Sequence, residues 1–207
     1  MIVKSLIAMA LCLSPLLAVA QDWARSPEES AAVIRKNHDA LFEDAGRVIL
    51  GSPDTKIRLV EFSDYNCGFC RQTQPQIERF LKDRPDVSVV IREFPVFGEG
   101  SIFAAKAALA AAEQGRYADM HNALMALNGR ADALSVMRAA RRIGLDEARL
   151  TRDMAGEAVA HHIAQSMDLA ERLEVVGTPT FVAGDHVILG FQSRGDLAEL
   201  AADAGQN

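Results

Sequence analysis

The stretch Ile57-Arg58-Leu59-Val60-Glu61-Phe62-Ser63-Asp64-Tyr65-Asn66-Cys67-Gly68-Phe69-Cys70 (IRLVEFSDYNCGFC, residues 57–70) decides how the rest of the chain is read. Its first seven residues are dense in apolar and β-branched side chains, the composition of a buried strand. A helix is expected to start around Cys67 and run to about Lys82, with Ile77, Phe80 and Leu81 facing inward. Two cysteines therefore fall where a strand gives way to a helix. A helix N-terminus offers unpaired N–H groups and the positive end of the dipole, and both favour a thiolate. The thiolate is the attacking species in disulfide exchange, and a second thiol one turn on can resolve the mixed disulfide. On this reading Cys67 is the exposed nucleophile and Cys70 the shielded resolving thiol.

Other uses of a Cys-x-x-Cys pair can be weighed against the rest of the sequence. A structural zinc site needs a second pair of ligands at suitable spacing. The one further cysteine is Cys12, and His161-His162 lie far along the chain in a helical pattern. Haem attachment requires histidine after the second cysteine, where this chain has Arg71. Two thiolates alone can clamp a soft ion such as Cu(I), so a copper-binding or copper-tolerance protein stays open as a reading of another class.

Cys12 belongs to a different part of the chain. Lys4 precedes an almost unbroken apolar run from Leu6 to Val19, and Ala18-Val19-Ala20 is a small-x-small cleavage site. Residues 1–20 read as a secretory signal peptide, too short for a comfortable membrane span. Its removal would take away Lys4 and Cys12 alone, leaving two cysteines and a net charge one unit more negative than the −6 of all 207 residues. The compartment implied lies outside the cytoplasm, where disulfides form and persist, and for the resemblance given below it is the periplasm. An acidic balance, with 22 Lys+Arg against 28 Asp+Glu, argues against nucleic acid as a partner. At 49% hydrophobic and 24% charged the chain has a globular composition.

Outward from the cysteines, Ser26-Pro27-Glu28-Glu29 is a capping box with proline at the first helical position. It predicts a helix to about Asp44, with Ile34, Leu41 and Phe42 on one face. Val48–Leu50 is a short strand and Val87–Phe94 (VSVVIREF) a strong one. Residues 101–175 are helical throughout, broken at Gly115, Gly129, Gly144 and Gly156, and apolar nearly all round over 101–112. Two short strands follow, 180–183 and 186–189, around a Gly184-Asp185 turn, and then a helix at about 193–202. The division expected is signal peptide 1–20, N-terminal helical extension 21–47, and one α/β domain 48–207.

FSDYNCGFC after a strand, with VGTPTF far downstream, resembles the thioredoxin fold, and within it the exported DsbA-like proteins that carry a helical insertion. The resemblance implies a thioredoxin-like fold with a large all-helical insertion between the central strands and the cis-proline loop. It implies a cis bond at Thr178-Pro179 in the substrate-binding loop facing the dithiol. It also places Glu61, six residues before Cys67, where such enzymes keep a buried carboxylate, and Pro75 where their active-site helix carries a proline. A buried Glu61 could take the proton of Cys70; a solvent-facing strand carboxylate is the other reading, as a plain turn is for Thr178-Pro179.

The dipeptide Gly68-Phe69 lacks a hydrogen-bond donor to sulfur, and with threonine before the proline it resembles the isomerase and reductase branch more than the strong oxidases. Residues 21–47 are shorter than the dimerisation domains of DsbC and DsbG and are similar to the ScsC-like group. The function expected is thiol:disulfide interchange with exported proteins, leaning isomerase or reductase, with dithiol oxidase as the alternative. No cofactor and no metal are implied; a DsbB- or DsbD-like membrane redox partner is. The helix over 27–44 either packs on its own domain or supports a homo-oligomer. Arg138, Arg141, Arg142, Arg149 and Arg152 read as a solvated face, His121 as a boundary residue, and Met120, Met125, Met137, Met154 and Met167 as core filling.

Overall fold

The computed structural model describes residues 25–205, so the leader and Cys12 lie outside the described residues. Strand β1 (Val48–Gly51), β2 (Ile57–Ser63), β3 (Val87–Glu93), β4 (Thr180–Ala183) and β5 (His186–Leu189) form one mixed sheet in the order β1-β3-β2-β4-β5. β2 and β3 run parallel at its centre, in a register that sets Glu61 opposite Ile91 and Ser63 opposite Glu93. The outer pairings, β1 with β3, β2 with β4 and β4 with β5, are antiparallel. The parallel pair requires a crossover, which is α2 (Gly68–Asp83).

Both faces of the sheet are covered, which is why β2 and β3 read as nearly continuous apolar runs. One face carries Leu59, Val89 and Ile91 against α2, α8 (Arg194–Ala204) and the helical block. That block comprises α3 (Glu99–Ala112), α4 (Tyr117–Met125), α5 (Ala133–Arg142), α6 (Glu147–Asp153) and α7 (Glu157–Arg172). α3 is alanine-rich and buried nearly all round, as its composition requires, because small side chains let neighbouring helices approach on every side. The opposite face carries Val60, Phe62 and Val90 against Ile34, Leu41, Phe42 and the C-terminal part of α7.

The capping box holds: Ser26 and Glu29 bond reciprocally and start α1 (Pro27–Lys36). The helix does not continue to Asp44. It stops at Asn37, and residues 39–43 form a π-helical turn whose Ala40 and Leu41 carbonyls accept from the Arg92 guanidinium rather than from helical N–H groups alone. The apolar stripe of this segment is used on its own domain. Met167 is exposed, not core, whereas Met120, Met125 and Met154 are buried. The arginine-rich face is solvated and laced with ion pairs, Arg141 with Glu147 and Arg149 with Asp153. No helix among the described residues is long and apolar enough to cross a membrane.

Candidate active site

Cys67 is the N-cap residue of α2, and its Sγ accepts from the backbone N–H of Cys70 at 3.5 Å. Both cysteines are free thiols. The reading of Cys67 as exposed needs correction: it is only 4% exposed and Cys70 1%. The cover is the loop before β4. The Thr178-Pro179 bond is cis, and the Thr178 carbonyl accepts a hydrogen bond from the Cys67 thiol at 3.1 Å. Between the buried cysteines Phe69 stands out into solvent, 58% exposed.

The two thiols are driven apart electrostatically. The hydrogen bond with Cys70 brings Cys67 down to about 5 against the opposing effect of burial. The Thr178 side chain and the N–H groups of Cys70 and Phe69 act in the same direction. The two groups of Thr178 serve different states of the sulfur. Its carbonyl suits the thiol, while its hydroxyl, which has no other partner among the described residues, can donate to the thiolate. Cys70 is held far above the ordinary thiol range, first by burial, then by its bond with Cys67 and the nearby charge of Glu61.

Glu61 is buried on β2, and its Oε1 accepts from Ser63 Oγ at 3.0 Å while Oε2 has no hydrogen-bond partner among the described residues. Burial pushes the carboxyl up to about 8, with Ser63 opposing and the charge of Cys67 adding to the rise. A carboxyl so placed is a proton acceptor of the strength a thiol needs, rather than a permanent anion. Thus Cys67, Gly68, Phe69, Cys70, Glu61, Thr178 and Pro179 are brought to one place from the β2–α2 junction, mid-β2 and the loop before β4.

Several residues of this neighbourhood were not singled out from sequence. The buried Asp64 carboxylate accepts four hydrogen bonds, from the N–H groups of Asn66, Val96 and Phe97 and from Ser101 Oγ. Asn66 exchanges bonds with the backbone of Ala131, and Arg71 donates to the carbonyls of Tyr65, Leu127 and Gly129. These bonds lock the helical block to the turn that presents Cys67. The junction is tight enough to require glycine at 100, where a Cβ would stand 2.2 Å from the Ala131 carbonyl oxygen. His121 is not a boundary residue: it is buried, with Nδ1 3.0 Å from Tyr65 Oη and Nε2 3.0 Å from Gln74 Oε1. No group of three or more His, Cys, Asp or Glu among the described residues could hold a metal ion. Of the adjacent histidines, His162 faces inward and His161 outward.

Known proteins fit this geometry. The sequence pattern of the DSBA-like thioredoxin domain matches residues 58–201. A thioredoxin-like oxidoreductase from Silicibacter pomeroyi superposes with a TM-score of 0.80 at 44% identity, covering 83% of this chain and 99% of that one. The catalytic domain of Proteus mirabilis ScsC superposes with a TM-score of 0.77 at 26% identity, covering 86% of this chain and 99% of that one. Among curated sequences, the Na(+)/H(+) antiporter NhaA 3 of Salinispora tropica is 35% identical over 135 residues, 64% of this chain. The chain spans about a fifth (21%) of the length of that relative. The domain pattern itself runs from β2 through the helical block into α8, and on that extent the chain belongs to the DSBA-like thioredoxin domain family.

Proposed function

We propose that this chain is an exported, periplasmic thiol:disulfide oxidoreductase that exchanges disulfides with cysteine-containing proteins through Cys67 and Cys70. The observation that carries the proposal is the asymmetry of the dithiol. One sulfur is held as a thiolate at neutral pH beneath the cis-proline loop, and the other is held protonated beside a buried carboxyl. In the reaction, the Cys67 thiolate attacks one sulfur of a substrate disulfide and releases the other as a thiolate. Cys70 then gives its proton to Glu61 and attacks Sγ of Cys67, closing the Cys67–Cys70 disulfide and freeing the second substrate thiolate.

A protein substrate suits the surroundings. Val96 and Phe97 are held against Asp64, Val176 leads into the Thr178 loop and Leu189 lies against Gly177; with Phe69 all four are exposed apolar side chains. The extended backbone of Thr178 can accept from a substrate strand laid beside it. Isomerase or reductase work is favoured over strong oxidation because Phe69 gives the Cys67 thiolate no side-chain donor. Reoxidation or reduction by a membrane protein of the DsbB or DsbD type completes the cycle.

Replacing Cys70 with serine tests the proposal. Cys70→Ser should accumulate mixed disulfides through Cys67 with proteins that carry disulfides, such as scrambled ribonuclease, visible on non-reducing gels and absent from Cys67→Ser. Failure of wild type to exchange with any protein disulfide would overturn it. Regain of activity from scrambled ribonuclease, faster than from reduced ribonuclease, supports the isomerase direction; activity on the reduced form alone would establish an oxidase.

A further inference from the structure

Glu93 ends β3 fully buried, on the same sheet face as Glu61 and one strand away, opposite the Ser63 whose hydroxyl serves Glu61. The exchange reaction gives it no task. A buried carboxylate is costly unless it is well hydrogen-bonded, and Glu93 is: its Oε1 accepts from Tyr65 Oη at 2.6 Å and Tyr117 Oη at 2.8 Å. Both phenols also face Nδ1 of His121, at 3.0 and 3.4 Å. His121 in turn meets Gln74, and the Gln74 amide donates to the exposed Asn122 at 2.8 Å.

Resting on the dithiol reading above, we propose that Glu93 is a positioning residue for the proton of Cys70. When it ionises, its charge received by the Tyr65 and Tyr117 hydroxyls, it raises the proton affinity of Glu61 and so makes Glu61 a base matched to a thiol. The groups facing the pair are few. They are Asp64 and Tyr65 from the turn after β2, Tyr117 and His121 from α4, and Cys67 and Cys70 from α2. None of these supplies a cation: burial alone pushes His121 down to about 3, so it stays neutral and cannot cancel the charge of Glu93. Burial pushes Glu93 itself up to about 8, with the two phenols opposing and Asp64 and Glu61 adding. Two buried carboxyls on neighbouring strands and the same sheet face, one of which acts on the other, titrate as a pair. The first negative charge goes to Glu93, which has two phenol donors, rather than to Glu61, which has one serine hydroxyl and an unpaired oxygen. Glu61 then keeps its proton to higher pH.

The resolving step isolates this effect. An aromatic disulfide whose released thiolate absorbs in the visible reacts with Cys67 and frees one chromophore; Cys70 attack frees the second and closes the Cys67–Cys70 disulfide. The second release is followed against pH for wild type, Glu93→Gln, Tyr117→Phe, Glu61→Gln and the Glu61→Gln/Glu93→Gln double variant. Glu93→Gln should move the midpoint of the second release to lower pH by about one unit while leaving the first release unchanged. Tyr117→Phe should move it the same way by less. In the Glu61→Gln background, Glu93→Gln should move nothing further, whereas two merely structural effects would add. An unchanged midpoint in both Glu93→Gln and Tyr117→Phe, or additive effects in the double variant, overturns the inference. A wild type that gives no first release instead overturns the dithiol reading itself.

Discussion

Arg92 and Glu93 are neighbours on β3, both fully buried, and they point to opposite faces of the sheet. Arg92 faces the N-terminal segment and α7. Its guanidinium donates to the Ala40 and Leu41 carbonyls and to Gln165 Oε1, and lies 3.6 Å from Asp44. Burial lowers its proton affinity and Asp44 opposes that, but a guanidinium stays charged throughout the working range. Glu93 faces α4, where its hydrogen-bond partners are the neutral phenols of Tyr65 and Tyr117 and the charges that act on it are those of the carboxyls Asp64 and Glu61. Equal burial therefore produces two kinds of residue. A charge that cannot be discharged, fixed to carbonyls, ties one segment to another. A charge that can be discharged near neutral pH couples to chemistry.

The largest expected effect breaks the structural half of this contrast. Arg92→Met removes the donor of two backbone carbonyls and leaves Asp44 without its cation. Such a loss should cost about 3 kcal/mol or more, read as a fall in urea midpoint, or about 2–4 °C in Tm per kcal/mol for a chain of this size. The pH dependence of Cys67 alkylation should not move. A variant of unchanged Tm would show that the N-terminal segment is held by Ile34, Leu41 and Phe42 alone.

The next effect concerns the chemical half. Glu61 and Glu93 have folded-state values of about 8 against an ordinary 4.5. A carboxyl raised on folding favours the native state below its ordinary value and loses that advantage as pH rises through the folded value. The two should therefore erode stability between about pH 4.5 and 8, and Glu93→Gln should flatten that slope in urea titrations of the reduced protein. Cys67 works the other way. Lowered from 9 to about 5, it adds stability to the reduced form as pH rises over that interval. Thr178→Val, which keeps the carbonyl but removes the hydroxyl, should move the midpoint of Cys67 alkylation upward. An unmoved midpoint would assign the thiolate to α2 and Cys70 alone.

The sequence made part of this visible. Strands β2, β4 and β5 and the capping box were legible because local chemistry specifies them: apolar runs bounded by turn residues, and a serine three residues before a glutamate. Glu61 was legible as a buried acid through the resemblance, which implies a buried carboxylate six residues before Cys67; the apolar strand around it left a solvent-facing reading open, and the structure buries it. Glu93 sits in an equally apolar strand, VSVVIREF, yet two adjacent charges there gave no sign that both faces of β3 are covered. The partners that decide it, Tyr117, His121, Ala40 and Leu41, lie 24 to 52 residues away. His121 fell at the edge of an apolar stripe and so read as a boundary residue. The end of α1 was illegible for a related reason: nothing local in Asn37–Asp44 shows that two of its carbonyls turn to a strand some fifty residues on. What local pattern cannot carry is the identity of a long-range partner.

The smallest effect sharpens the contrast on the Arg92 face. His162, on α7, is buried, and among the described residues neither ring nitrogen makes a hydrogen bond of good geometry, the Gly46 carbonyl being near enough only to pull on the ring, while Ser166 Oγ one turn on is likewise unpaired. Burial first, then the charge of Arg92, pushes the imidazole down to about 4, outweighing the pull of the Gly46 carbonyl and Asp44. A base lowered on folding supports the native state above its ordinary value near 6.5 and withdraws that support as pH falls towards 4. His162→Leu exchanges an unpaired polar ring for an apolar side chain, so at pH 7 the stability should change by less than about 1 kcal/mol. Below pH 6 the variant should be the more stable of the two, because no imidazolium has to be discharged to refold. The same change should leave the resolving step at the dithiol untouched. If His162→Leu instead costs several kcal/mol at pH 7, the ring is held by an ordered water beside Arg92, and this face carries a polar network as complete as the one around Glu93.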